Sequence, residues 1–291
     1  MKKLYGTGVA LVTPFTDSGE VDFKGLKKLL QHTGKGVDYY VVMGTTGESS
    51  TVTKEEKKEI LDFVRQNNTK KLPIVYGVGG NNTQQVLDAI RESDLTDVTA
   101  ILSVSPYYNK PSQEGIFRHY TAIADASPVP VILYNVPGRT SSNISAATTL
   151  RLATHKNILG VKEASGNMEQ CMLIARDMPK DFLLISGDDM YTVPLYALGG
   201  RGVISVLANA YPTIFRKIKD HAQGGDFVKA SREAFKLLDI HPLMYAEGNP
   251  VGLKVLLSKM GICGDNVRLP LAEASPELRE QIHAHYAKNK G

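Results

Sequence analysis

Cysteine is scarce in this sequence, and long apolar runs are absent. The 291-residue chain carries two cysteines, Cys171 and Cys263, so we expect buried thiols in a reducing compartment instead of a disulfide framework. No apolar stretch approaches the roughly 18 residues of a membrane span. The N-terminus also lacks the apolar core and cleavage site of a signal peptide. These absences predict a soluble, cytoplasmic protein that has no membrane partner.

An excess of either charge is also missing. Lysine and arginine together number 34 and aspartate and glutamate 30, and no run of five basic residues occurs, so a nucleic-acid partner is not expected. With 42% hydrophobic and 22% charged residues, the composition excludes a disordered, collagenous or low-complexity chain. The length fits either two domains or one large barrel with an appendage.

What the sequence does contain is a series of short apolar, β-branched runs along its first 210 positions. They lie about one β-loop-α-loop unit apart, and most are apolar on both faces, which is typical of parallel strands covered by helices. The eight runs are residues 8–12, 37–43, 73–78, 98–104, 130–135, 158–162, 182–186 and 202–207.

Eight such units favour an α/β fold of the (β/α)8 TIM-barrel type with a C-terminal helical extension. An open doubly wound sheet usually has five or six strands, and we prefer the barrel for that reason. We predict a catalytic barrel over residues 1–225 and an extension over 226–291. Predicted helices include 54–66, which a capping box of Thr53 and Glu56 opens, then 226–246 and 251–259, and a last one with Ser275 as N-cap and Pro276 in its first turn.

Lys162 is the sharpest chemical signal, because it ends an apolar strand at the barrel face where active sites lie. Burial of a lysine disfavours the ammonium form, and the neutral amine can attack a carbonyl and form a Schiff base. The alternatives are a structural ion pair with Glu163 or a side chain that reaches solvent.

Further polar groups follow the other strands. Tyr134 could exchange protons beside Lys162, or simply hydrogen-bond to the backbone. Thr45 and Thr46 offer hydroxyls and backbone N–H groups to a small carboxylate, or form an ordinary capped turn. Arg139 could hold a second carboxylate in a bidentate contact, although exposed loop arginines are common.

Cofactor and metal signals are weak. The glycine pair at 77 and 79 lacks the third glycine of a dinucleotide fingerprint, since Asn82 stands there. The seven histidines do not follow the strands in ligand spacing, and Asp188 with Asp189 is a poor cation cage that we interpret as loop capping. We therefore expect neither a metal nor an organic cofactor.

Five segments together resemble the family of pyruvate-dependent class I aldolases and lyases that includes dihydrodipicolinate synthase and N-acetylneuraminate lyase. The resemblance covers nearly the whole chain and rests on their shared order and spacing. The segments are 44–48 (GTTGE), 134–140 (YNVPGRT), 160–164 (GVKEA), 187–189 (GDD) and 199–205 (GGRGVIS).

The resemblance implies roles for individual residues. Lys162 would form the Schiff base with pyruvate, and the proton relay would consist of Tyr134, Thr45 and Tyr108. Thr46, Gly187 and Ile204 would bind the substrate. Tyr108 would complete the relay from a neighbouring subunit, which implies a homo-oligomer, usually a tetramer built as a dimer of dimers.

Arg139 indicates the subgroup within the family. The synthases of this family have an arginine at the equivalent position, where it holds the carboxylate of aspartate semialdehyde. Segment 106–115 (PYYNKPSQEG) also resembles the synthases. The implied reaction joins pyruvate and L-aspartate 4-semialdehyde into 4-hydroxy-tetrahydrodipicolinate, the first committed step towards diaminopimelate and lysine. The alternatives are a related aldolase for a 2-keto-3-deoxy sugar acid or sialic acid, or a barrel that binds a keto acid without turnover.

A possible allosteric region departs from the family pattern. Lysine-sensitive members commonly carry histidines where this chain has Lys54 and Lys57, and a glutamate where it has Gln85, although Ser49, Asn81 and Tyr107 match. Because cations repel a cationic effector, we expect weak or absent inhibition by lysine. An inhibition curve with strong submillimolar sensitivity would contradict this.

Overall fold

The eight apolar runs form eight parallel strands in a closed barrel, in chain order. A computed structural model describes residues 2–289. The strands are β1 Gly6–Ala10, β2 Tyr39–Val42, β3 Ile74–Gly77, β4 Val98–Val104, β5 Val131–Asn135, β6 Ile158–Glu163, β7 Leu183–Ser186 and β8 Gly202–Ser205. The predicted α/β barrel class is therefore confirmed.

Helices separate the strands and continue after β8, as the predicted C-terminal helical extension requires. They are α1 Phe23–Thr33, α2 Lys54–Asn67, α3 Thr83–Glu92, α4 Gln113–Ala126, α5 Pro137–Thr140, α6 Ala146–Leu152, α7 Met168–Asp177, α8 Thr192–Ala197, α9 Pro212–Gln223, α10 Phe227–Phe235, α11 Val251–Lys259 and α12 Pro276–Lys288. Short 3-10 turns occur at Lys2–Leu4, Thr45–Gly47, Leu207–Asn209 and Pro242–Met244.

The described chain divides into two compact units. The first contains the residues up to Gly6 together with Pro73–Ile204, and the second contains Thr7–Leu72 together with the residues from Ser205 onwards. The predicted boundary between barrel and extension, after residue 225, lies within the second unit and stays a prediction.

Strand burial explains why the runs are apolar on both faces. Every residue of β1, β2, β5, β7 and β8 is buried, as expected for parallel strands packed on both sides. Glycine is required where β1 approaches β2, because a Cβ on Gly8 would lie 2.1 Å from the ring of Tyr39.

Local capping signals are confirmed. Thr53 accepts a hydrogen bond from the backbone N–H of Glu56, and the Glu56 side chain accepts one from the backbone N–H of Thr53, which completes the capping box at the start of α2. Ser275 caps α12 by accepting from the backbone N–H of Leu278, with Pro276 in the first turn. Asp188 accepts from the backbone N–H of Met190 at 2.8 Å, which is the loop capping that we expected.

The predicted helix over 226–246 is wrong in its length. α10 ends at Phe235, and the chain continues through turns in which Leu237 and Leu238 each bond three residues back. Pro242, which has no backbone N–H, then opens a separate 3-10 turn. The apolar pattern continues through this segment because Leu237 and Ile240 are still buried.

Candidate active site

Lys162 lies beside Tyr134 on neighbouring strands of the first unit. The register of β5 and β6 pairs these two residues, and each side chain is 6% exposed. The Lys162 Nζ atom stands 4.2 Å from the centre of the Tyr134 ring. The predicted nucleophile and the predicted proton-exchanging phenol are thus brought together in a nearly dry environment.

Gly187 makes room for Lys162. A Cβ at this position would lie 3.1 Å from the Cγ and Cε atoms of Lys162 and 2.6 Å from the Cβ of Ala164. The Gly187 N–H also donates to the carbonyl of Glu163 at 2.7 Å. Any larger residue would therefore press on the Lys162 side chain. Ile204, on β8, is fully buried.

The buried carboxylate of Glu163 follows Lys162 directly and is held by neutral donors. Asn135 Nδ2 donates to both carboxylate oxygens at 3.1 and 3.0 Å, Gln170 Nε2 donates at 2.9 Å, and the Ser165 N–H donates at 2.8 Å. Asn135 and Glu163 also pair in the strand register, one position beyond Tyr134 and Lys162. This network fixes β5 and β6 where the two site residues emerge.

Arg139 is exposed on the short helix α5. Hydrogen bonds hold the backbone of the surrounding segment at several points. Thr140 Oγ1 donates to the carbonyl of Ser142 at 2.8 Å, and Ser142 Oγ donates to the carbonyl of Pro106 at 2.7 Å. The Asn135 side chain accepts from the backbone N–H of Ile144 at 2.9 Å. The Arg139 side chain is therefore exposed to solvent, while the backbone around it is held in place.

Tyr108 is the most exposed large hydrophobic side chain among the described residues. It is 87% exposed, and its φ of 77° lies in the left-handed region that few non-glycine residues occupy. Tyr107 is 40% exposed, and its carbonyl accepts from Asn81 Nδ2 at 3.3 Å. Within the described chain Tyr108 is thus directed outward, away from the core.

Thr45 and Thr46 lie in the second unit, in the 3-10 turn that follows β2. Two non-glycine residues with left-handed backbone flank this turn, Met43 at φ 60° and Glu48 at φ 53°. Thr45 is half-buried, and Thr46 is buried. Asn249 Nδ2 donates to Thr46 Oγ1 at 3.0 Å, so one threonine hydroxyl is held by a residue far along the chain.

A buried ion pair secures the same turn. Lys254 Nζ donates to Glu48 Oε1 at 2.5 Å and to the carbonyl of Asn266 at 2.7 Å, while Glu48 Oε2 accepts from the backbone N–H of Arg268 at 3.1 Å. Lys254 is fully buried, and this burial lowers its pKa even though the Glu48 carboxylate opposes the shift. The ammonium also lies 4.2 Å from the ring centre of Phe15.

The residues of the possible allosteric region are accessible to varying degrees. In the second unit Ser49 is half-buried, Lys54 is exposed at the start of α2, and burial lowers the pKa of Lys57. In the first unit Asn81 and Gln85 are exposed.

Three buried polar residues around the turn of Thr45 and Thr46 were missed in the sequence prediction. Lys254 had a usable signal, since a lone lysine interrupts the apolar stretch 251–257. Glu48 stands inside a segment of the family resemblance, but nothing local shows that its carboxylate is buried. Asn249 had no signal at all, because its partner is 203 positions away.

Two further properties concern the described range, residues 2–289. No helix in it is both long and apolar enough to cross a membrane. No cluster of three or more His, Cys, Asp or Glu side chains in it could hold a metal ion.

Comparison with known proteins agrees with the geometry. The chain is 50% identical over 289 residues to the 4-hydroxy-tetrahydrodipicolinate synthase of Cytophaga hutchinsonii, which covers 99% of this chain and 97% of the relative. A chloride-inhibited dihydrodipicolinate synthase from Acinetobacter baumannii, solved with pyruvate, superposes with a TM-score of 0.94 at 36% identity, and the match covers 98% of each chain. A monomeric dihydrodipicolinate synthase variant superposes with a TM-score of 0.93 at 33% identity and covers 98% of this chain and 97% of its own.

The model of the dihydrodipicolinate synthetase family matches residues 3–289. Its match spans both compact units and includes Lys162, Tyr134 and the turn of Thr45 and Thr46. The chain belongs to the dihydrodipicolinate synthetase family.

Proposed function

We propose that the chain condenses pyruvate with L-aspartate 4-semialdehyde to 4-hydroxy-tetrahydrodipicolinate, through a Schiff base on Lys162. The observation that carries this proposal is the buried Lys162 amine, 4.2 Å from the Tyr134 ring centre, in a chain whose relative from Cytophaga hutchinsonii bears the name of this activity. The product begins the branch towards diaminopimelate and lysine.

The chemistry needs an amine, a proton relay and two carboxylate sites. Lys162 Nζ attacks the keto carbon of pyruvate, and the carbinolamine loses water to give an iminium. Loss of a methyl proton gives the enamine, whose carbon attacks the aldehyde and forms the new C–C bond. The semialdehyde amine then attacks the iminium carbon, closes the ring and releases Lys162. The iminium serves as the electron sink, so the proposal invokes no metal or organic cofactor.

Each remaining residue has a proposed role in these steps. Tyr134, Thr45 and Tyr108 carry protons to and from the carbinolamine oxygen and the aldehyde oxygen. Thr46 binds the pyruvate carboxylate through its hydroxyl and backbone N–H. Gly187 and Ile204 contribute to substrate binding, Gly187 through the space that it leaves beside Lys162.

Arg139 provides the test of substrate choice. We expect Arg139→Ala to raise the KM for aspartate semialdehyde by about 10- to 100-fold, because a bidentate contact with the carboxylate is lost, while the KM for pyruvate stays nearly constant. Steady-state kinetics with both substrates measures this. Arg151→Ala is the matched control, since Arg151 is likewise exposed and pairs with Glu114.

Two outcomes of that experiment would contradict the proposal. Equal effects on both KM values would show that Arg139 does not select the second substrate. Faster turnover of sugar-derived aldehydes than of aspartate semialdehyde would instead favour the 2-keto-3-deoxy sugar acid or sialic acid alternative, which retains Lys162 and pyruvate.

We also propose that the enzyme is a homo-oligomer, a tetramer built as a dimer of dimers, in which Tyr108 serves a neighbouring subunit. The support is its 87% exposure and its left-handed backbone, which direct an aromatic side chain into solvent. The solved monomeric variant at 33% identity shows that a family fold exists without assembly. Sedimentation velocity of the full chain measures the state directly.

The proposed compartment is the cytoplasm. Cys171 and Cys263 are both free thiols, and free thiols persist in a reducing environment.

A further inference from the structure

The side chain of Asn249 hydrogen-bonds to Thr46, a proposed substrate-binding residue. The Asn249 side chain is 7% exposed, and its Nδ2 donates to Thr46 Oγ1 at 3.0 Å. Its other amide atom, Oδ1, is buried and has no hydrogen-bond partner in the described part of the chain. A purely structural buried asparagine would ordinarily have both amide atoms satisfied. The side chain's hydrogen bonding to the protein is thus directed at the Thr46 hydroxyl.

The direction of this bond determines what the hydroxyl can do. A threonine hydroxyl has one hydrogen to donate and two lone pairs to accept with. Because Asn249 donates, it occupies a lone pair and leaves the Thr46 hydrogen available for an acceptor. The carboxylate of a keto acid is acceptor-only, so this polarity suits it.

The backbone around Asn249 holds this geometry. Asn249 lies two residues before the start of α11, and Lys254, on α11, forms an ion pair with Glu48. Thr46 and Glu48 belong to one turn, so the start of α11 contacts that turn twice, once through Asn249 and once through the ion pair. Both side chains of the Asn249–Thr46 pair are buried, with Asn249 7% and Thr46 2% exposed.

We propose that Asn249 is a positioning residue that presents the Thr46 hydroxyl as a hydrogen-bond donor to the carboxylate of pyruvate. This role rests on the proposed function, which places pyruvate at Thr46. Asn249 itself acts through Thr46.

The sharpest test reverses the polarity of the bond. Asn249→Asp has nearly the same shape, but its carboxylate accepts from Thr46, turns the hydroxyl hydrogen away and adds a negative charge. The readout is the pyruvate concentration that gives half-maximal borohydride trapping on Lys162, together with both KM values. We expect Asn249→Asp to raise this half-maximal pyruvate concentration by at least about 10-fold. Asn249→Ala should raise it less. The KM for aspartate semialdehyde should stay within about twofold, since its carboxylate contact is elsewhere.

A double-mutant cycle separates positioning from structure. Thr46→Val removes the hydroxyl, so Asn249→Ala should add almost nothing in that background if it acts through the hydroxyl. Asn67→Asp is the matched control, because Asn67, on α2 in the same unit, donates from its side chain to the carbonyl of Phe63; it should leave the pyruvate dependence unchanged. If Asn249→Asp does not fold, the cycle with Asn249→Ala still decides.

The outcomes separate the two proposals. If the wild type forms no pyruvate adduct on Lys162, the proposed function fails, and the role of Asn249 fails with it. If the wild type is trapped but the Asn249 variants show an unchanged pyruvate dependence, or an equal loss with and without the Thr46 hydroxyl, only the positioning role is overturned.

Discussion

Lys162→Ala should lose turnover of pyruvate and aspartate semialdehyde by at least about a thousandfold, because it removes the amine that we propose forms the iminium. Lys162→Arg should be equally inactive, since a guanidinium keeps the charge but is never deprotonated in proteins. A coupled assay measures the rate. Borohydride reduction with pyruvate, followed by peptide mass spectrometry, locates the adduct.

The matched control for this prediction is Lys156→Ala. Lys156 is exposed and lies just before the same strand, β6, so its loss should leave the rate nearly unchanged. Trapping of pyruvate on another lysine, or a Lys162→Ala enzyme within tenfold of the wild type, would refute the Schiff-base assignment. In that event a keto-acid binding protein without turnover becomes the better interpretation.

The second large effect concerns stability. Lys254→Met should lower the free energy of unfolding by about 3–5 kcal/mol, because it leaves the buried Glu48 carboxylate without its cation. Glu48 has a side chain only 2% exposed and Lys254 one that is 0% exposed, so water cannot take the place of the lost partner. Denaturant unfolding of the two proteins measures the difference.

Two further variants show whether charge is the cause. The double variant Glu48→Leu with Lys254→Met should recover part of the lost stability, because apolar pairs often replace buried ion pairs at little cost. Arg118→Ala, which breaks an exposed pair with Glu114, should cost less than about 1 kcal/mol. A Lys254→Met loss as small as that of the exposed pair would show that the buried charge is compensated elsewhere.

The Lys254 result also bears on catalysis. The ion pair holds the turn that carries Thr45 and Thr46, so a loosened turn should weaken pyruvate binding as well. The Asn249 variants alter the hydrogen bond from Asn249 to that turn and leave the ion pair in place. Comparison of the two sets separates loss of turn order from loss of hydroxyl orientation.

The strands were predictable because their signal is local. All eight apolar runs contain a strand, but the strand ends differ from the predicted ones where apolar residues continue beyond the last hydrogen-bonded pair of the sheet. The run at 202–207 ends as a strand at Ser205, and Leu207 opens a 3-10 turn while remaining buried. Hydrophobicity reports burial, and a buried loop residue looks the same as a buried strand residue. The overlong helix prediction at 226–246 failed for the same reason.

The burial of Lys162, the proposed nucleophile, was predictable because it ends an apolar strand, where a lysine is costly unless it has a partner or a role. Its neighbour Tyr134 followed from the order of the strands, since parallel strands that are consecutive in the chain pair in the barrel. The exposure of Tyr108 and the space at Gly187 could not be read from the sequence, because both depend on the path of the backbone around them.

The sequence by itself determined the eight-stranded barrel, the helix caps and the family, since these depend on periodicity, turn chemistry and short motifs within a few residues. Only the tertiary structure decided what surrounds the threonine turn. Asn249 reaches Thr46 across 203 positions, and Lys254 reaches Glu48 across 206. Such partners carry no mutual signal along the chain, because only packing of the folded backbone brings their polar atoms within hydrogen-bond distance and excludes the water that would otherwise satisfy them.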